Sequence, residues 1–319
     1  MSLDSIFSLG QSALELGLIT SLTVLALFLS YSMLNVCDLS TDGCFTLGAT
    51  VGAVVAIAGH PYLSIAAAMA AGIASGFITA ILQTKMGINS LLAGIIVNTG
   101  LYSINIAVMS GSSILNMNKT DTVFTKMAAL VKGTPVARQS KLFVAIIAVA
   151  AVAVILGLFL KTRLGLAIRA TGDNPDMVRS SSVNPAFTTI IGLCVANSFT
   201  ALSGCLLAQS QRSVNIDIGT GMVTIALASL LIGGAFLGRK KMPLRIFGMV
   251  LGAFIFRLIY TIALRFDMPA FMLKFVSSVI VIAAIATPYF KKQLPLLQRV
   301  TVPVRLLRFS SRCVKTCSA

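Results

Sequence analysis

Charge is scarce in this chain, and acid scarcest of all. Charged residues are 11% of the 319, where a soluble domain carries about 25%. Only nine residues are Asp or Glu, and no two of them pair with a nucleophile or a base in any recognisable catalytic arrangement. Histidine occurs once, as His60 ahead of Pro61. One histidine excludes a multi-histidine metal centre and leaves little room for hydrolytic chemistry. The six cysteines include no CxxC pair: Cys37, Cys44, Cys194 and Cys205 sit in or beside apolar runs, where a thiol behaves as a small hydrophobe. Cys313 and Cys317 lie in a basic tail without a neighbouring histidine, which argues against zinc. There is no GxxxxGK[ST] loop, so the chain does not hydrolyse a nucleotide by that route. No enzyme class is favoured by what remains.

Hydrophobic residues make up 57% of the sequence and the mean hydropathy is +0.95, which defines an all-α, polytopic membrane protein. Asp4 and Glu15, with no Lys or Arg before the first apolar run, do not make a cleavable signal peptide. Nine runs are long enough to cross a bilayer: 13–34, 43–59, 62–84, 88–110, 141–160, 187–208, 217–238, 243–264 and 270–289. The second is the shortest and, with Gly43, Gly48, Gly52 and Gly59, reads equally as a broken or re-entrant helix. Residues 1–290 form one transmembrane domain and 291–319 a basic tail that mixes Lys and Arg with apolar residues, suited to an anionic lipid surface. The net charge of +16 lies largely in short loops and this tail, beside spans, so it fixes topology rather than binding nucleic acid. With the N-terminus outside, sixteen basic residues fall on the inner side and seven on the outer. The tail and the loop after the fifth span are then cytoplasmic.

That loop, 161–186, is the most informative stretch. It carries Lys161, Arg163, Arg169 and Arg179 with Asp173 and Asp176 between two apolar spans. Asn174 is a good N-cap, Pro175 suits the first helical turn, Asp176 suits the positive end of the helix dipole, and Asn184-Pro185 marks a stop. A capped, charged helix held at a membrane surface offers a grip to a soluble partner; an ordinary positive-inside loop is the plainer reading.

Two further stretches resemble one another. Asn35–Gly43 precedes the second span and Asn215–Gly221 the seventh, each with an Asn, an Asp and a glycine ahead of a helix rich in small residues. Their placement on opposite faces is the pattern of inverted repeats, spans 1–4 matching 6–9. Polar side chains inside spans need partners or water. Asn98 and Asn105 share a helical face seven residues apart, Asn197 is central in the sixth span, Gln209 is near its outer end, and Arg257 lies past the middle of the eighth. These five are candidates for a solute path, with interhelical hydrogen bonding as the alternative. Arg257 has Asp217 as one conceivable partner. In the 111–141 connection Val123, Met127, Leu130 and Val131 have the spacing of an amphipathic helix.

With these residues in view the chain resembles permease subunits of bacterial ATP-binding-cassette importers, in the branched-chain amino-acid, ribose and simple-sugar family. The resemblance rests on Gly165-Leu-Ala-Ile-Arg-Ala-Thr-Gly-Asp-Asn-Pro-Asp-Met-Val-Arg with Val183-Asn184 after it, on Asp38-Leu-Ser-Thr-Asp-Gly-Cys-Phe-Thr-Leu-Gly-Ala, and on the Gly219–Ala235 stretch that begins Gly-Thr-Gly-Met-Val. It implies that Arg169, Gly172, Asp173, Asn174, Asp176, Met177 and Arg179 couple to a separate ATPase, which binds the ATP and Mg²⁺; this chain itself binds no cofactor. It further implies a second permease copy or sister subunit, an extracytoplasmic solute-binding protein and a bacterial inner-membrane location. The chain departs from the family at Met222-Val223-Thr224, where an acidic residue is common, and at Gly238-Arg-Lys-Lys-Met-Pro, where a glycine-rich loop is common. These departures favour an amino acid, aromatic ones included, ahead of a sugar or nucleoside. A self-sufficient secondary transporter or channel is the competing expectation. It is opposed by the lack of acidic residues deep within the spans, Asp38, Asp42 and Asp217 being expected at span ends.

Overall fold

A computed structural model describes residues 3–118, 120–130, 140–237 and 242–265, with isolated positions at 275, 278–279 and 281–282. The chain opens with α1 (Leu3–Leu27), which runs on as a π-helical segment, Phe28–Met33. After a non-helical stretch come α2 (Thr41–Ile57), α3 (Pro61–Thr84) and α4 (Ser90–Val108). A short strand β1 (Ile114–Asn116) and helix α5 (Val123–Leu130) precede α6 (Ser140–Phe159). Two short helices, α7 (Arg163–Asp173) and α8 (Pro175–Ser180), lead into α9 (Pro185–Gln211). Strand β2 (Ser213–Asn215), α10 (Met222–Leu237) and α11 (Met242–Arg265) complete the described chain.

Among the described residues six helices are long and apolar enough to cross a membrane, and α2 and α10 are shorter apolar helices. Eight of the nine expected spans thus coincide with a helix, α1 beginning ten residues before the first of them; most of 270–289 and the whole tail lie outside the described residues. The glycines of the second span do not break it. α2 is continuous, and the break falls ahead of it, at 34–40. The boundaries follow from local chemistry. Pro61, Pro175 and Pro185 open their helices, where the missing N–H has no partner to lose. Asn89, Thr162, Asn174 and Asn184 cap with side-chain oxygens. Asn184-Pro185 therefore starts α9 and does not itself end the loop helix, which stops at Ser180 before Ser182 turns through a positive φ of 61°.

The helices pair with a consistent symmetry. α3 packs along α9 and α11 along α1, while α2 lies on α3 and α10 on α11. Ser203 donates to the Ile19 carbonyl, and Gly192 faces Leu34, so α1 and α9 run antiparallel. This is the arrangement two inverted halves produce, with α6 joining them. The strands β1 and β2, unforeseen in the sequence, pair antiparallel with Ile114 opposite Asn215. They bring the end of α4 and the end of α9 to one end of the bundle. At the opposite end Gly172, closing α7, rests against the carbonyl of Met33. α5 forms over Val123–Leu130, with Val123 and Phe124 buried and Met127 packed against the core.

Lipid supplies no hydrophobic drive between helices, so contact depends on close approach of small residues. A Cβ on Gly48 would strike the Ala201 carbonyl, one on Gly72 the Asn197 carbonyl, and one on Gly233 the Gly248 carbonyl. Gly234, its neighbour, has open space where a Cβ would go. Gly233→Ala is therefore expected to lower stability by about 1–3 kcal/mol through overpacking, whereas Gly234→Ala leaves it unchanged or raises it by up to about 1 kcal/mol. Thermal unfolding of the two detergent-purified variants checks this; equal melting temperatures would contradict the packing.

Candidate functional site

The two look-alike stretches meet. Asp42, in the first turn of α2, extends its carboxylate to the start of α10 and accepts from Gly221 N at 3.0 Å and Val223 N at 2.8 Å. Gly219 comes so near the Asp42 carbonyl that no side chain fits there. One residue of the first half thus caps the short helix of the second. A carboxylate is the favoured cap, since it meets orphan N–H groups and the positive end of the helix dipole together.

Beside this junction lies a pocket of about 290 Å³. Asp42, Asn98, Tyr102, Asn105, Asp217 and Thr220 line it, along with backbone and smaller groups from α2, α4 and the approach to α10. Asn98 and Asn105, expected to share a face, both reach it. Asn105 is 1% exposed and its Nδ2 donates to the Gly43 carbonyl at 3.3 Å. A Cβ on Gly43 would lie 2.6 Å from Asn98 Oδ1, so the Asn98 side chain fills the space that Gly43 leaves.

Asn197 and Gln209 take other positions. Asn197 is the thirteenth residue of the 27-residue α9 and donates from Nδ2 to Asp38 Oδ2 at 3.0 Å. Asp38 Oδ1 accepts from the Ser40 amide at 2.8 Å and the Ser40 hydroxyl at 2.6 Å. Asp38 is 2% exposed and sits level with the middle of α9, not at a span end. The stretch 34–40 turns back into the bundle and carries it there, which a linear hydropathy reading does not reveal. Gln209 is a structural link: it donates to Ser64 Oγ at 2.7 Å and accepts from Val123 N at 3.0 Å, tying α9 to α3 and α5. Arg257 and Asp217 do not pair. The Arg257 guanidinium lies over the Tyr260 ring, 5.0 Å from its centroid, and its β-carbon faces Gly17 on α1. Asp42 and Asp38 are the residues sequence reasoning passed over. The signal for both was their place in a motif repeated before α10.

At the far end of the bundle α7 and α8 form a compact surface element. Asn174, in extended conformation between them, accepts from Asp176 N and Met177 N at 3.1 and 3.2 Å. Arg169, Asp173, Asp176, Met177 and Arg179 are exposed, Met177 to 68%. Arg179 and Asp176 approach to 3.9 Å in solvent, a contact of small energetic weight. Val178 is buried beneath them, and the Thr171 and Thr188 hydroxyls meet at 2.8 Å, fixing α7 to α9.

A bundle of six long apolar helices with two shorter apolar ones among them, the second capped by a carboxylate of the first half, defines a helical multi-pass membrane protein. The family described as branched-chain amino acid transport system, permease component, matches residues 11–285, and the chain belongs to it. It is a permease of the ATP-binding-cassette importer family. It is similar to a tyrosine transport system permease protein of Clostridioides difficile (strain R20291), 31% identical over 277 residues, 86% of this chain and 90% of that one. A ribose import permease of Escherichia coli (strain K12) is 28% identical over 223 residues, 68% of this chain and 66% of its own. An autoinducer 2 import system permease of Yersinia enterocolitica is 24% identical over 224 residues, 70% and 59% of the two chains. No solved structure matches.

Replacing Asp42 by Ala is expected to cost about 1–2 kcal/mol through loss of the cap, and Asp42→Asn less. The local signature is faster amide hydrogen exchange over residues 221–226 in the alanine variant. Exchange there at the wild-type rate would show that the carboxylate does not hold α10.

Proposed function

We propose that this chain forms the solute path for an amino acid and works as one of two permease copies above separate ATPase subunits, which bind the ATP and Mg²⁺. An extracytoplasmic binding protein delivers the solute. The basic-residue balance supports a cytoplasmic position for the loop 161–186 and the tail in a bacterial inner membrane. The amino acid is supported by the 31% identity to the tyrosine permease and by the departures from the family pattern after Gly221.

The observation that carries the coupling role is the docking of α7 on the end of the first helix. Gly172 abuts the Met33 carbonyl and Leu34, and eight residues beyond Leu34 the chain reaches Asp42 at the pocket. A push on α8 therefore has a short covalent and packed route to the polar pocket. Arg169, Asp173, Asn174, Asp176, Met177 and Arg179 present the surface that receives the push, with Gly172 at its pivot. Asp38 is a buried carboxylate of the kind a self-sufficient carrier would use. Its hydrogen bonds from Ser40 and Asn197 supply donors without any ion, which favours the ATPase-driven reading.

The quadruple alanine variant at Asp173, Asn174, Asp176 and Arg179 is expected to insert normally yet lose ATP-dependent uptake and release the ATPase on affinity purification from solubilised membranes. Full uptake by this variant would overturn the assignment. Purified chain that moves solute in liposomes without ATP would hand the function to the secondary transporter.

A further inference from the structure

The polar pocket has a one-sided chemistry. Its charged lining groups are the carboxylates of Asp42 and Asp217; among the described residues lining it there is no lysine, arginine or histidine. Asp42 is already engaged, its two oxygens held by the Gly221 and Val223 amides. Asp217 is exposed and lines the pocket, its own amide is bonded to Asn215 Oδ1, and among the described residues no hydrogen bond or ion pair engages its carboxylate.

Asn105 supplies an independent observation. Its amide orientation is fixed by chemistry: the Gly43 carbonyl only accepts, so the NH₂ group must face it. The remaining atom, Oδ1, is buried and no donor among the described residues reaches it. A buried acceptor left unpaired carries a free-energy penalty that a bound donor removes. Pocket and orphan acceptor together ask for a group rich in N–H or O–H donors and positive in charge. A neutral polyol meets the first demand and leaves the Asp217 carboxylate without a counter-charge. An ammonium meets both. Tyr102 adds an aromatic edge beside it for the rest of the solute.

We propose that this pocket receives the ammonium group of an amine-bearing solute, with the Asp217 carboxylate as counter-charge and Asn105 Oδ1 as hydrogen-bond acceptor. This rests on the reading of the chain as an importer permease and assigns selectivity for the amine to its own residues. Asn98 stands as an adaptable neighbour whose carbonyl oxygen occupies the space that Gly43 leaves open.

The test uses cells expressing the complete transporter and a mixed isotope-labelled probe: free amino acids, their 2-hydroxy-acid counterparts, pentoses and nucleosides. Accumulated compounds are identified by mass spectrometry with and without ATP depletion. The expected result is ATP-dependent accumulation of amino acids over their 2-hydroxy-acid counterparts. Asp217→Asn and Asn105→Leu should each cut that preference about tenfold, the loss of one hydrogen bond to a charged group. Asp217→Glu, which keeps the charge, should retain it. Asp217 is exposed, so its variants keep the proposal falsifiable if Asn105→Leu fails to reach the membrane. ATP-dependent accumulation of a pentose, nucleoside or 2-hydroxy acid in place of an amine, or an unchanged preference in Asp217→Asn, overturns the ammonium site and leaves the importer reading standing. Accumulation that persists without ATP, or none at all, overturns the importer reading and the inference with it.

Discussion

Backbone that is not helical cannot face lipid, because each unpaired N–H or C=O in hydrocarbon costs several kcal/mol, roughly. This bundle nevertheless takes two such stretches into its interior, one before α2 and one before α10. The structure answers by bringing them together. Asp42 accepts the first amides of α10, and Asp38 gathers the Ser40 amide, the Ser40 hydroxyl and the Asn197 side chain at the level of mid-α9. Much else in the molecule follows from these two carboxylates. They hold the short helices at a defined depth, and the space beside the junction is the polar pocket. The glycines on α2, α3 and α10 then let the longer helices close round it without side chains between them.

The cap also explains why the two halves cannot drift apart independently. Asp42 belongs to the first half and α10 to the second, so sliding one against the other strips a charge-assisted bond inside a low-dielectric bundle. Bistable behaviour needs two discrete arrangements rather than continuous deformation, and a carboxylate that either caps α10 or does not is a natural two-state element. In the proposed transport cycle this junction lies between the surface helix α8 and the solute.

Sequence reasoning reached most of the long helices to within a few residues, because length, apolarity and capping are local properties, but it did not foresee α7. Asn174 and Pro175 announced α8 through chemistry confined to four residues. The boundary at Asn184 was read as a stop because a residue before proline leaves the helical region, yet the same dipeptide is an equally good start, and only the turn at Ser182 decides between them. The interior was less legible. Asp38 looked like a span end because hydropathy along the chain does not register a segment that turns back. Arg257 and Asp217 were natural partners by charge, but depth and charge carry no information on which helix face meets which, and Gly17 and Tyr260 were the true neighbours. Asn105 was legible because a seven-residue spacing places it over Asn98 on one face.

In the proposed transport cycle selectivity and coupling draw on different physics and lie at separate places in the fold. The surface helix presents exposed charges in water, where single ion pairs are weak, so its grip on a partner has to come from shape and from apolar points such as Met177 as much as from charge. The pocket adds a different regime at its wall, where one buried unpaired acceptor such as Asn105 Oδ1 weighs heavily because water does not reach it. A few groups therefore suffice inside, while a whole helix is needed outside. What joins the two regimes is the contact of Gly172 with Met33 and Leu34. A side chain at 172 would strike the Met33 and Leu34 backbone and hold α7 off the first helix, so the direct packing on which the proposed route depends requires glycine there.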